Sequence, residues 1–191
     1  MDQYIPTFSN ILIDSGAYSV FNSGQSICPV QYSDWCERFK GRADAIAGLD
    51  DISGDWRKSI QNYKHGGFPT FHNTDPPELL DELLEMSREG DRWIGIGVGG
   101  KQEGRENFLR DTLHKIPGNI HVHGWALRKY RRRFRLDSVD STNWWRDALD
   151  YRLKLPWLSY AECLEIIIKR EQREIIEPIP KKTDLQGKLF S

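Results

Sequence analysis

Carboxylates at the ends of short apolar runs are the residues best suited to chemistry in this sequence. Asp14 closes Ile-Leu-Ile-Asp-Ser-Gly-Ala-Tyr-Ser, where Ser15 and Gly16 turn the chain with little bulk beside exposed backbone amides. An aspartate after a strand is also a common N-cap or turn former, and for Asp14 taken alone that is the better reading. A second cluster, Arg-Leu-Asp-Ser-Val-Asp-Ser-Thr-Asn-Trp over residues 135–144, holds Asp137 and Asp140. Three positions apart on a straight strand, they point to opposite faces, so at most one meets a pocket and the other is a candidate helix cap. Asp140 stands later, at the strand's mouth. Asp50 and Asp51 form an adjacent pair at another tip, either a solvated loop pair or an acceptor for the N1–H and exocyclic amine of a guanine.

Gly95, Gly97, Gly99 and Gly100 allow a flat ligand, or neighbouring side chains, to approach the backbone closely. Their spacing is not the dinucleotide fingerprint, and no phosphate loop with Lys and Ser/Thr is present. His121 and His123 put two imidazoles on one face of a strand, like the first ligand pair of a metal-dependent hydrolase. Only His72 looks placed to join them, so pocket histidines are the stronger expectation. Residues 128–135, Arg-Lys-Tyr-Arg-Arg-Arg-Phe-Arg, concentrate positive charge in Arg128, Lys129, Arg131, Arg132, Arg133 and Arg135. Phosphate contacts are the natural use of such a run, with a solvated basic face as the plainer reading.

The elements that would position these groups alternate. Apolar runs at Ile11–Ile13, Ala45–Leu49, Phe68–His72, Trp93–Val98, Ile120–His123 and Leu136–Val139 are short enough to be buried strands. Helical patterns lie between and after them, at Pro29–Phe39, Asp55–Tyr63, Pro76–Glu89, Glu106–His114 and Asn143–Leu153. Asp75 is the expected N-cap of the third, with Gly90 its stop, and Ser159 with Glu162 has capping-box spacing ahead of a long helix to Ile176. The alternation predicts an α/β fold of parallel strands with its site at their C-terminal ends. A full (β/α)₈ barrel takes about 250 residues. This chain has 191 and six clear strands, so it is read as a shortened barrel, an open sheet, or part of a larger assembly.

Bulk properties set the outer bounds. A net charge of −1 gives no global attraction to nucleic acid, so any such binding needs a local patch. No apolar stretch is long enough for a membrane span, and residues 1–10 show no signal peptide. Cys28, Cys36 and Cys163 are expected to be reduced thiols in a cytoplasmic protein, with no metal and no cofactor. One domain over residues 1–177 and a polar tail over 178–191 are expected.

Together these segments resemble the tRNA-guanine transglycosylase superfamily, most closely its phage and bacterial branch acting on DNA. Asp14-Ser15-Gly16-Ala17-Tyr18 is similar to the family's Asp-Ser-Gly-Gly-Phe motif, Leu49-Asp50-Asp51 to its base-recognition segment, and Gly97–Gly100 to its glycine pair. His121-Val-His-Gly-Trp-Ala126 followed by Ser138-Val-Asp-Ser-Thr-Asn-Trp144 resembles the DNA branch. The likeness covers roughly residues 10–150 in the family's order. It implies a (β/α)₈-type TIM barrel, here shortened or incomplete, and exchange of guanine in DNA or tRNA for a 7-deazaguanine. Asp140 would be the nucleophile and Asp14 the general acid/base. Asp50 or Asp51 would read the purine edge, and the Gly99 and Gly100 amides would hold its O6. Asp137 competes for the nucleophile's role, because the tRNA enzymes' Phe-Asp-Cys-Val motif also aligns with Leu136–Val139. The tRNA enzymes' zinc site has no counterpart here, and the chain starts almost at the first motif, so a further family strand upstream of that motif is expected to be missing. Two other classes stay open: a silent nucleic-acid-binding subunit of a homo- or hetero-oligomer, and a metal-dependent hydrolase.

Overall fold

The computed structural model describes residues 11–99, 104–131, 133–140, 143–163 and 165–167. The expected 178–191 tail, Gly100 and Arg132 lie outside these. The chain divides into two compact units, residues 1–140 and 141–191.

The first unit is an α/β structure whose described strands all pair in parallel. β1 (Leu12–Ile13) pairs with β2 (Ala45–Ile46), and β3 (Thr70–His72), β4 (Trp93–Gly97), β5 (His121–Trp125) and β6 (Ser138–Val139) follow in sequence order. A parallel bridge from Ala47 to Phe68 joins the two groups, with Gly48 N–H donating to Phe68 O and Phe68 N–H to Ile46 O, both at 2.8 Å. The strand order is therefore the chain order, β1 to β6.

Crossover helices return the chain each time. After β1 comes α1 (Ala17–Asn22), which the sequence patterns did not suggest, and then α2 (Pro29–Phe39). Gly16 precedes α1 at φ 70°, a left-handed conformation that glycine takes without strain. Pro29 opens α2 with its fixed φ and missing N–H. In α3 (Trp56–Tyr63) the Asp55 carboxylate caps by accepting the Arg57 N–H at 3.2 Å. α4 (Leu79–Glu89) buries Leu79, Leu80, Leu83 and Leu84 against β3 and β4 and stops at Gly90. α5 (Arg105–Leu113) follows β4.

Strand parity sorts the sheet into two faces. Phe71, Ile94, Ile96 and Val122 point to the α4 and α5 side and form the main core with Leu80, Leu83, Leu109 and Leu127. The other face carries Leu12, Ala45, Ala47, Phe68, Trp93 and Trp125 in a smaller apolar cluster.

In the second unit, α6 (Asn143–Lys154) and helical residues 160–163 and 165–167 pack through Ala148, Cys163 and Ile167. The expected capping box forms: Ser159 N–H donates to Glu162 Oε2 at 2.7 Å, and Glu162 N–H to Ser159 Oγ at 3.3 Å. No helix among the described residues is long and apolar enough to cross a membrane.

Candidate active site

Backbone register puts one row of residues at the C-terminal rim of the sheet. His72 lies opposite Gly97, Gly97 opposite Trp125, and Asp140 follows Val139, which pairs with Gly124. Parity turns this row to the face opposite the main core. Asp14 leaves the tip of β1 on the same face, and Asp50 follows β2 to stand beside His72.

Asp140 is half-buried, and its Oδ1 accepts the N–H of Ala126. Ala126 sits at φ 55°, an uncommon left-handed conformation for a residue with a Cβ, in the turn that aims this amide. Burial pushes the Asp140 carboxyl above the usual range. The Ala126 bond pulls the other way, and the charge of Asp14 adds to the rise. Asp50 is also pushed up by burial, opposed by the His72 ring and by the Tyr63 hydroxyl that donates to its Oδ1, while the charges of Asp75 and Asp14 raise it further. Asp14, itself exposed, thus acts electrostatically on both other carboxylates. It acts as well on buried Tyr32, whose hydroxyl donates to Ala47 O and titrates far above its ordinary value, chiefly through burial. Three acidic groups from β1, β2 and β6 therefore share one electrostatic environment.

His72 is the member that residue patterns undervalued. Its backbone N–H donates to Asp75 Oδ2 at 2.7 Å, its Nδ1 lies 3.5 Å from the same oxygen, and its Nε2 lies 3.7 Å from Asp50 Oδ2. Burial opposes charging of this ring, yet Asp75 and Asp50 outweigh it and the imidazole titrates above its usual value. Asp75 was expected as the α4 N-cap. Its carboxylate is turned to His72 instead, and Glu78 holds the cap position without a side-chain bond. The signal available in sequence was His72 at a strand's end with a carboxylate three residues on.

Four readings left open in the sequence are narrowed by the structure. Asp137 lies before β6, at the end away from Asp140, and its Oδ2 accepts the Val122 N–H at 2.8 Å; it anchors β6 to β5. Asp51 turns away from the rim to accept from Ser53 Oγ at 2.6 Å and the Asp55 N–H at 3.3 Å. Partial burial opposes it, but these bonds and Lys58 hold its carboxyl below the usual range. The Gly99 amide is already used: it donates to Asn73 Oδ1 at 2.9 Å while Gly99 O accepts from Asn73 Nδ2 at 3.2 Å. Gly95 and Gly97 make room for side chains. A Cβ on Gly97 would stand 2.4 Å from His72 Cδ2, and one on Gly95 2.5 Å from Trp125 Nε1.

His121 and His123 belong to a deeper layer. His123 pairs with Ser138, two residues below Asp140 on β6, or about 7 Å down the strand. His121 Nε2 and His123 Nδ1 both lie 2.8 Å from Ser138 Oγ, within hydrogen-bond distance. Burial keeps both rings below the usual histidine range, His123 at about 4. Among the described residues no group of three or more His, Cys, Asp and Glu is arranged to hold a metal ion. Above this layer the Trp125 indole crosses Gly95 to donate to Thr70 Oγ1 at 3.1 Å and stacks on Phe68, giving the rim an apolar floor.

The basic run divides by role. Arg128–Tyr130 form a 3-10 helix whose Tyr130 is buried in the main core, with Phe134 packed against it. Arg135 is structural: its guanidinium donates to the carbonyls of Ile116, Pro117, Gly118 and Ile120 at 3.1–3.3 Å. Arg133 pairs with Glu106 at 2.5 Å. Lys129 lies over the Tyr130 ring, and Lys129, Tyr130 and Arg133 line a cavity of about 420 Å³ with Gly104, Glu106 and Asn107 of the α5 start. The elements that line it start at the C-terminal side of the sheet, α5 where the chain leaves β4 and the 3-10 helix where it leaves β5. Arg131 is half-buried. Ser15 Oγ accepts the Ala17 N–H at 3.3 Å and shapes the turn after Asp14.

No protein-family model, no curated protein and no solved structure matches this chain.

Proposed function

We propose that this chain exchanges guanine in a nucleic acid for a 7-deazaguanine through a covalent glycosyl-aspartate on Asp140. The observation that carries the reading is one face of the sheet on which Asp14, Asp50 and Asp140 leave the C-terminal ends of β1, β2 and β6, with Asp140 held by the Ala126 amide and Asp50 by Tyr63 and His72. In a flat sheet the edge strands of six would stand about 24 Å apart, too far for one exposed carboxylate to act on another through water. Leu12 of β1 nonetheless packs in one apolar cluster with Trp93 of β4 and Trp125 of β5, which supports a sheet curled in the manner of a shortened (β/α)₈-type barrel with its mouth over these residues.

Two displacements follow. Oδ2 of Asp140, left over when the Ala126 amide takes Oδ1, forms a bond to C1′ of the target sugar as the C1′–N9 bond breaks. The electron pair leaves with guanine, and Asp14, which takes up a proton from solvent before the displacement, delivers it to the departing base. The incoming 7-deazaguanine returns a proton to Asp14, and its ring nitrogen attacks C1′, releasing the Asp140 carboxylate. Two displacements at one carbon retain configuration, as in retaining glycosidases. Asp50 accepts the N–H donors of the purine edge. The target nucleotide must leave its stack to reach the rim, and Lys129 with Arg133 is placed to hold a flanking phosphate.

The sharing of one Ser138 hydroxyl by His121 and His123 argues against a metal-dependent hydrolase. Labelled-guanine exchange into DNA and tRNA, run side by side, tests the proposal. Label entering either polymer supports base exchange. Binding of both polymers with no exchange would leave a silent nucleic-acid-binding subunit and end the enzymatic reading.

A further inference from the structure

We propose that His72 is a positioning residue for ligand recognition: held by Asp75 at Nδ1 and seated on Gly97, it faces Asp50 with Nε2 and keeps that carboxylate ionised and turned to accept the paired N–H donors of a purine edge. The inference rests on the base-exchange reading for its ligand, but the arrangement itself is independent of that reading.

Geometry supplies the first support. The ring has carboxylate oxygens at both nitrogens, 3.5 Å from Nδ1 and 3.7 Å from Nε2, so only the doubly protonated imidazolium serves both partners. Its seat is built: a Cβ on Gly97 would stand 2.4 Å from Cδ2 and 2.8 Å from Nε2, so the ring lies flat on a backbone that only glycine leaves bare. The backbone N–H of His72 is fixed by the same Asp75 oxygen at 2.7 Å, which locks both ends of the residue.

Charge supplies the second. Tyr63 of α3 donates to Asp50, Asp75 of the turn after β3 and Asp14 of the β1 tip face it as anions, and His72 faces it as a cation; β4 offers only Gly97. Without the cation, three carboxylates crowd one partly desolvated rim, and one of them takes up a proton. A protonated Asp50 has an O–H where the purine presents N–H, so the paired acceptor is lost. With His72 charged, Oδ1 holds the Tyr63 bond and Oδ2 faces the imidazolium. An ionised carboxylate has about four lone-pair sites, so two remain for a ligand. The Asp50 side chain keeps 18% of its surface exposed, enough for a ligand to reach those sites.

The test combines two readouts on the full chain. Ring nitrogen NMR follows His72, one of five histidines, in the ligand-free protein. Its midpoint is expected above the ordinary value of about 6.5 and lower in both Asp50→Asn and Asp75→Asn. Calorimetry then measures 7-deazaguanine binding at pH 6 and pH 8. His72→Gln is expected to weaken binding roughly 10-fold or more at pH 6 and much less at pH 8, because without the cation acid favours the protonated Asp50. Asp75→Asn, which does not face the ligand, gives the same pattern more weakly and serves if His72→Gln fails to fold. A His72 midpoint below the ordinary value, or one that Asp50→Asn leaves in place, overturns the inference whatever the ligand. Equal weakening at both pH values also overturns it, since a merely structural histidine would behave so. A wild-type protein with the expected midpoint that binds no purine overturns the ligand assignment and the base-exchange reading together.

Discussion

Two layers of one sheet face carry polar groups, and they behave in opposite ways. The deeper layer, Thr70, His121, His123 and Ser138, is paired mostly within itself: Ser138 lies between both imidazoles, Trp125 serves Thr70, burial holds both rings below the usual histidine range, and His123 Nε2 is left buried without a partner. The rim layer, Asp14, Asp50, His72 and Asp140, is open: burial pushes the Asp50 and Asp140 carboxyls up, the charge of Asp14 adds to both, and Asp140 Oδ2 keeps lone pairs that no described protein group fills. About 7 Å along a strand separates the two. Polar residue types occur in both, but the unpartnered His123 Nε2 of the deeper layer is buried, and of the two only the strand ends carry carboxylates with exposed surface.

The largest expected effect breaks the rim. Asp140→Asn should lower base exchange by about 10⁴-fold or more, the scale seen when a covalent nucleophile is removed. Asp137→Asn should leave exchange near wild type and lower Tm, because the Val122 amide loses its ionised acceptor. Exchange rates and thermal melts of both variants check the contrast.

The next effect sharpens the deeper layer. The folded-state value of His123, about 4, lies below the unfolded value of about 6.5, so the unfolded chain takes up the proton first. Stability is therefore lost as pH falls from about 6.5 to about 4, by roughly 3 kcal/mol. Asp50 and Asp140, with raised values, act in the opposite sense in acid, so the wild type is compared with His123→Gln. Denaturant unfolding across this window should show the loss in the wild type and its absence in the variant.

Much of this contrast was legible in residue order, and the misses have physical causes. Six short apolar runs ending in polar residues gave the parallel strands and the rim, since a buried parallel strand reads as an unbroken apolar run. α2 begins and ends at the expected residues because Pro29 marks its start. α1 was missed: Tyr18 and Phe21 are exposed, so no apolar stripe announced it. Among the carboxylates, parity separated Asp140 from Asp137, but nothing local told Asp50 from Asp51. That choice was made by Tyr63 and His72 on one side and Ser53, Asp55 and Lys58 on the other. Asp75 was misread because a carboxylate ahead of a helix pattern looks like a cap whether it turns forward to the helix or back to a histidine.

A smaller effect tests the glycines at the rim. Gly97→Ala must push the His72 ring aside and should cost about 1–3 kcal/mol of stability along with purine binding. Gly99→Ala meets nothing closer than Asn73 Oδ1 at 3.9 Å and should change Tm little. Thermal melts and calorimetry on the pair distinguish a packed glycine from an open one. The smallest effect divides the basic run. Lys129→Ala should weaken nucleic-acid binding and reduce the slope of log affinity against log salt by about 1. Arg135→Ala should instead destabilise by about 1–2 kcal/mol through its four carbonyl partners, with the slope unchanged.

The most direct measurement is a covalent trap. Wild-type protein is incubated with guanine-containing DNA or tRNA without an incoming base, denatured, and the linked peptide is mapped by mass spectrometry. Base exchange requires a sugar–carboxylate linkage at Asp140 that disappears in Asp140→Asn and persists in Asp137→Asn. A linkage at Asp137, or steady exchange by Asp140→Asn with no linkage at all, would contradict it.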